Sequence, residues 1–193
     1  MVIIADETAN PAYCAADLLA QAEHDPLASA ILITTSERLA DDVNKEIEKQ
    51  LKRLERQSIA AESMRKQGVI AVVADIDEAV ELANLYAPEH LCLMVKGASA
   101  LVRRLTNAGC IVIGESATVV LGDYVFGPSH VLPTGATARF GSPLSVLDFI
   151  KLTSLLKVNK AALNKLGKAA ATIARAEGLE AHARAVEKRL EAD

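Results

Sequence analysis

Five short apolar runs, the first four each followed by a stretch of helical period, constrain the fold of this chain more than any other feature. They are Val2–Ala5, Ser29–Thr34, Val69–Val73, Leu91–Val95 and Cys110–Ile113. A strand with one wet face alternates apolar and polar residues. These runs do not alternate, so both of their faces must be covered. The intervening segments supply the cover. Asn10-Pro11 opens a helix to about His24, with a capping side chain and a proline in the first turn. Ser36 caps a long charged helix with Leu39, Val43, Ile47, Leu51 and Leu54 at helical spacing, in a region that Gly68 ends. Asp75 caps a helix through Tyr86, and Ser99–Ala108 reads as a helix closed by Gly109. Such alternation predicts an α/β fold: a Rossmann-like parallel sheet with helices on both faces, plus a C-terminal helical tail. The tail is expected to hold helices over Ser145–Ser154, Lys160–Ala176 and Leu179–Ala192. The expected boundary puts residues 1–144 in the α/β part and 145–193 in the tail. In doubly wound sheets the working residues are expected at the carboxyl ends of the strands.

Charge and composition narrow the function. The net charge is −4, which disfavours binding to a phosphate backbone. Residues 151–193 carry 9 basic and 5 acidic residues, against 12 and 20 in residues 1–150. The basic residues of the tail are spread out, which suits docking on an acidic body better than binding nucleic acid. With six aromatic residues and no Trp, a stacking platform for single strands is not expected. No apolar run approaches the roughly 18 residues that a membrane span needs, and acidic Asp6 and Glu7 directly follow the apolar start. Cys14, Cys92 and Cys110 form no CxxC pair and read as buried small hydrophobes in a reducing compartment. A cytoplasmic protein that binds neither membrane nor nucleic acid is expected. Neither GxGxxG nor GxxxxGK[ST] occurs, so no fingerprint for a pyrophosphate is present. In Gly114-Glu115-Ser116-Ala117-Thr118, alanine stands where a nucleophile elbow needs its second glycine.

The chemistry-bearing residues are few. Gln21 and His24 lie three apart at a helix end and share one face, as a metal pair or as surface groups. Glu89-His90 follows Ala87-Pro88 at the edge of a strand. An acid beside an imidazole there suits proton transfer, and equally makes a polar turn. Residues 115–143 break the alternation and form a long loop rich in Gly, Pro, Ser and Thr. Within it, LGDYVFGPSHVLPTG holds Asp123, Tyr124 and His130 on a backbone stiffened by Gly122, Gly127, Gly135, Pro128 and Pro133. His182 sits in the last helix with Glu177 five residues before it. It joins the other groups only if the tail folds back or crosses to a second subunit.

Five segments, in this order, resemble histidinol dehydrogenase: ADETANPAYCAADLLAQAEHDP at 5–26, APEHLCL at 87–93, GDYVFGPSHVLPTGATARF at 122–140, SPLSVLDFIKLTS at 142–154 and EGLEAHARAV at 177–186. The resemblance spans nearly the whole chain and corresponds to the C-terminal half of the family's chain. It implies a zinc- and NAD-dependent enzyme that oxidises L-histidinol through histidinal to L-histidine in histidine biosynthesis. Matched residue by residue, the zinc ligands are Gln21, His24, Asp123 and His182, a nitrogen and oxygen set that zinc accepts. His90 is the implied base for the hydroxyl proton, and Glu89 activates the water that attacks the aldehyde. Substrate contacts are implied for Gln21, His24, His90, Asp123, His130, Glu177 and His182, with His182 and Glu177 contributed across a homodimer interface. The family's chains are about twice as long. Its NAD-contacting residues map to no position here and are expected in an N-terminal half before Met1, where a GPSE-type segment belongs. Residues 36–67 correspond to a connecting helix that carries no site. The expected partners are L-histidinol and either a second copy or an N-terminal half. The alternative is a non-catalytic zinc- or imidazole-binding or dimerisation module that lacks the NAD lobe.

Overall fold

The computed structural model describes residues 1–191. They divide into two compact units, Met1–Phe149 and the segment from Ile150 onward.

The first unit is built on five parallel strands: β1 (Val2–Ala5), β2 (Ala30–Thr34), β3 (Gly68–Val72), β4 (His90–Met94) and β5 (Cys110–Ile113). Their order is β3-β2-β1-β4-β5. β1 lies at the centre and pairs with β2 and β4, Ile3 standing opposite Leu32 on one side and Cys92 on the other. All four β1 residues are buried, which explains why the run carries no polar residue.

Side-chain alternation splits the core into two layers. Ile3, Leu32 and Cys92 face Cys14 and Leu18 of α1 (Pro11–Ala22) and Val43 of α2 (Glu37–Leu51). Val2, Ile4 and Leu93 face Ala79, Val80 and Ala83 of α4 (Ile76–Tyr86) and Leu105. The Rossmann-like sheet covered on both faces is therefore observed. The caps act as the sequence predicts: Asn10, Ser36 and Asp75 accept backbone hydrogen bonds from Ala12, Leu39 and Glu78.

Several expected elements differ. The helix expected from Ser36 breaks at 52–56 into α2 and α3 (Gln57–Gln67). Buried Ala60 and Ser63 turn α3 inward, and Ser63 Oγ donates to the Ala28 carbonyl at 2.8 Å. The helix expected over Ser99–Ala108 is instead two 3-10 turns, Ala98–Ala100 and Val102–Arg104. The region after β5, expected as loop, holds a six-residue helix, α5 (Val119–Tyr124). The helix expected over Ser145–Ser154 shrinks to a 3-10 turn at Val146–Phe149. Its apolar residues bury no face: Leu147, Phe149 and Leu152 are 76%, 79% and 89% exposed. A short helix without a packed face has too little to stabilise it.

The second unit is a hairpin of α6 (Lys160–Ala176) and α7 (Glu180–Glu191); the expected extension of α7 to Ala192 lies outside the described residues. Gly178, at φ 76°, makes the reversal that a side chain would strain. Ala171 and Ala183 are buried in the hairpin, and Arg175 bridges Glu180 and Glu187 at 3.0 and 2.7 Å. A Cβ at Gly167 would stand 3.0 Å from Leu190 Cδ1, so glycine lets the helices approach. Among the described residues, no helix is long and apolar enough to cross a membrane.

Candidate functional site

α1 runs antiparallel to the strands it covers, as a right-handed crossover requires, so its C-terminal end returns to the amino edge of the sheet. Asp17 and Gln21 of α1 and His24, in the turn just past its end, recur there at a spacing of four and then three. They line a cavity of about 610 Å3 together with Glu23, Glu89, His90, Thr118, Asp123, Tyr124 and His130. The expectation of a site at the carboxyl ends of the strands is therefore corrected. His90 is the first residue of β4, and the cavity opens at the amino edge. The reason is positional: the ends of crossover helices, the turns before strands and the loop after β5 meet at that edge.

The turn leading into β4 is tightly specified. Ala87 caps α4 in the left-handed region, at φ 54°, and Pro88 restricts the next step. The Glu89 carbonyl accepts from Cys110 N–H at 2.8 Å, and the Pro88 carbonyl from Gly109 N–H at 3.0 Å. A Cβ at Gly109 would lie 2.7 Å from the Glu89 oxygen, so only glycine permits this approach. Gly109, expected as a helix terminator, thus seats the Glu89-His90 pair.

His90 is buried, with 6% of its surface exposed. Its Nε2 lies 3.4 Å from Asp123 Oδ1, and its Nδ1 has no hydrogen-bond partner among the described residues. Burial pushes the imidazole pKa below its ordinary value, against the opposing pull of Asp123 and Glu89. Burial thus favours the neutral imidazole. Burial also pushes the Asp17 carboxyl up, while the Thr118 hydroxyl, donating at 2.9 Å, opposes the shift.

The cavity wall holds the carboxylates of Asp17, Glu23, Glu89 and Asp123 and the imidazoles of His24, His90 and His130, but no lysine or arginine side chain. The C-terminal end of α1 adds partial negative charge at Gln21 and His24. Apart from the Met1 amine, the ionisable groups on this wall are carboxylates, imidazoles and the Tyr124 phenol.

Three of the four residues expected as metal ligands, Gln21, His24 and Asp123, line this one cavity. His182, on α7, belongs to the second unit, where it and Glu177 border an apolar groove with Ile173, Leu179 and Val186. Among the described residues, no three His, Cys, Asp or Glu side chains converge closely enough to hold a metal ion. In kind, the amide, imidazole and carboxylate donors fit zinc. Sequence reasoning missed Asp17, Glu23 and Thr118. The helical spacing that joins Gln21 to His24 reaches Asp17 one turn earlier and would have found it.

The model of the histidinol dehydrogenase family matches residues 1–190. The chain belongs to the histidinol dehydrogenase family. A histidinol dehydrogenase of Dehalococcoides mccartyi (strain CBDB1) is 58% identical over 191 residues, which are 99% of this chain and 44% of that protein. One from Aquifex aeolicus is 51% identical over 189 residues, 98% of this chain and 44% of that protein. The crystal structure of histidinol dehydrogenase from Elizabethkingia anophelis superposes with a TM-score of 0.91 at 39% identity, covering 98% of this chain and 44% of that one. This chain thus spans about half the length of its relatives in a family of oxidoreductases of histidine biosynthesis.

Proposed function

We propose that this chain supplies the metal-binding and proton-transfer part of a histidinol dehydrogenase, acting in the cytoplasm on L-histidinol. The observation that carries this reading is the cavity of carboxylates and imidazoles without a basic side chain, in a chain of this family. L-Histidinol carries an ammonium and an imidazole, a cationic and nitrogen-rich ligand that suits such a wall. Gln21, His24, Asp123 and His182 would hold Zn2+, which when bound orients the substrate's amine and imidazole and lowers the entropic cost of reaction.

The chain's own residues divide the remaining work. His90, on the cavity wall beside Asp123, accepts the hydroxyl proton at the alcohol carbon from which NAD, when bound, would take hydride. Glu89, next to it on the cavity wall, takes a proton from the water that adds to the aldehyde. Asp123 steadies the imidazolium that forms on His90. Glu177 and His182 complete substrate and metal binding, with His130 as a further contact. The residues that hold NAD are not assigned to this chain.

The proposal includes association with a second copy or with an N-terminal half. Exposed apolar side chains support it: Leu152, Leu155 and Leu156 are 89%, 95% and 87% exposed, more than isolated surface residues ordinarily leave in water together. A boundary near residue 144 with a docking tail beyond it belongs to the same proposal.

The test is co-expression of this chain with the N-terminal half of a relative, followed by measurement of histidinol-dependent NADH formation. Turnover that is lost in Glu89→Gln and His90→Gln is the expected result. A purified pair that binds zinc and histidinol yet forms no NADH would overturn the catalytic reading in favour of a non-catalytic binding module.

A further inference from the structure

We propose that Asp17 is a positioning residue that holds α5 against α1 through Thr118 and so sets the spacing of the metal ligands; this rests on the ligand set proposed above. Thr118 is the residue at the amino end of α5, where a hydroxyl ordinarily accepts from the helix's own N–H groups. Here it makes no such cap. It donates instead to Asp17 Oδ1 at 2.9 Å, across 101 residues of sequence.

The bond joins α1 and α5, next to three of the four proposed ligands. Gln21 follows Asp17 on α1 and His24 lies two residues past its end, while Asp123 follows Thr118 by five residues in α5. α5 buries none of its six residues, so core packing alone does not fix where it sits. Val119 packs partly against the core, and Asp123 touches His90 only at 3.4 Å. The Asp17–Thr118 bond is half-buried, which makes it stronger than an exposed one and more damaging to lose.

The test compares four variants of the full chain by calorimetric titration with Zn2+, thermal unfolding, and hydrogen exchange of residues 119–126 without metal. Asp17→Ala and Thr118→Val each remove one partner. Asp17→Asn keeps an acceptor oxygen, and Thr118→Ser keeps the hydroxyl. The first two should bind zinc about tenfold more weakly, as loss of a group that orients ligands does. Their α5 amides should exchange faster, with the melting temperature lowered by only a few degrees. The two conservative variants should match the unaltered chain. Zinc affinity unchanged in Asp17→Ala and Thr118→Val overturns the inference, and so does Asp17→Asn binding as weakly as Asp17→Ala. An unaltered chain that takes up no zinc overturns the ligand set itself, and this role with it.

Discussion

At the carboxyl edge of the sheet, Asp6 accepts from the N–H groups of Thr8 and Lys96 at 2.9 and 2.8 Å, and Glu115 accepts from Asn10 N–H at the start of α1. At the amino edge, Asp123 meets His90 only at 3.4 Å, and His90 Nδ1 has no partner among the described residues. Both edges collect carboxylates, but one set is consumed by backbone donors and the other faces a cavity. The strand order places the switch point between β1 and β4, and open α/β sheets ordinarily bind ligands at the carboxyl end of such a point. Here Asp6 ties the loops that follow those two strands, and Glu115 stands at the helix N-terminus where a phosphate would otherwise gain from the dipole. The comparison teaches that the address of a site follows from which polar groups are left unspent, not from the fold class.

Three measurements test this contrast. The largest effect is expected at the amino edge. His24→Ala should weaken zinc binding by on the order of 100-fold, with thermal unfolding nearly unchanged because His24 is exposed. A large drop in melting temperature would mean that this edge, too, is structural.

Asp6→Ala should show the opposite pattern. It strands the Thr8 and Lys96 N–H groups and should cost about 2 kcal/mol in denaturant unfolding, while zinc affinity stays put. Weakened zinc binding at unchanged stability would erase the distinction between the edges.

The smallest effect is a pH dependence of metal-free stability. His90 has a folded pKa below its ordinary 6.5, so between the two values the unfolded chain binds more protons. Its contribution is complete above about pH 6.5 and declines as the pH falls below that, by at most about 1.4 kcal/mol per pH unit. His90→Gln should flatten this slope in urea unfolding between neutral and mildly acidic pH, and an unaltered slope would place the titrating group elsewhere.

Much of this was legible in residues. The five strands were readable because a doubly covered strand needs an unbroken apolar run, and few other structures do. Helix starts were readable at Asn10, Ser36 and Asp75 because a cap is a local interaction within a few residues. The break between α2 and α3 was not, since no glycine or proline lies in Lys52–Arg56 and α3 is tied to the body by contacts remote in sequence, such as Ser63 to Ala28 across 35 residues. In the site, Gln21, His24, Glu89, His90, Asp123 and His130 were singled out from the chain and line one cavity.

By itself, the amino-acid sequence determined the fold class, the buried runs, the caps and the family, because each depends on neighbours along the chain or on motifs that survive intact. Long-range packing sets the cavity at the amino edge, seats Glu89 against Gly109, and turns Thr118 from capping its own helix to holding Asp17. These depend on groups up to 101 residues apart meeting once the sheet has formed, and no local pattern records such a meeting.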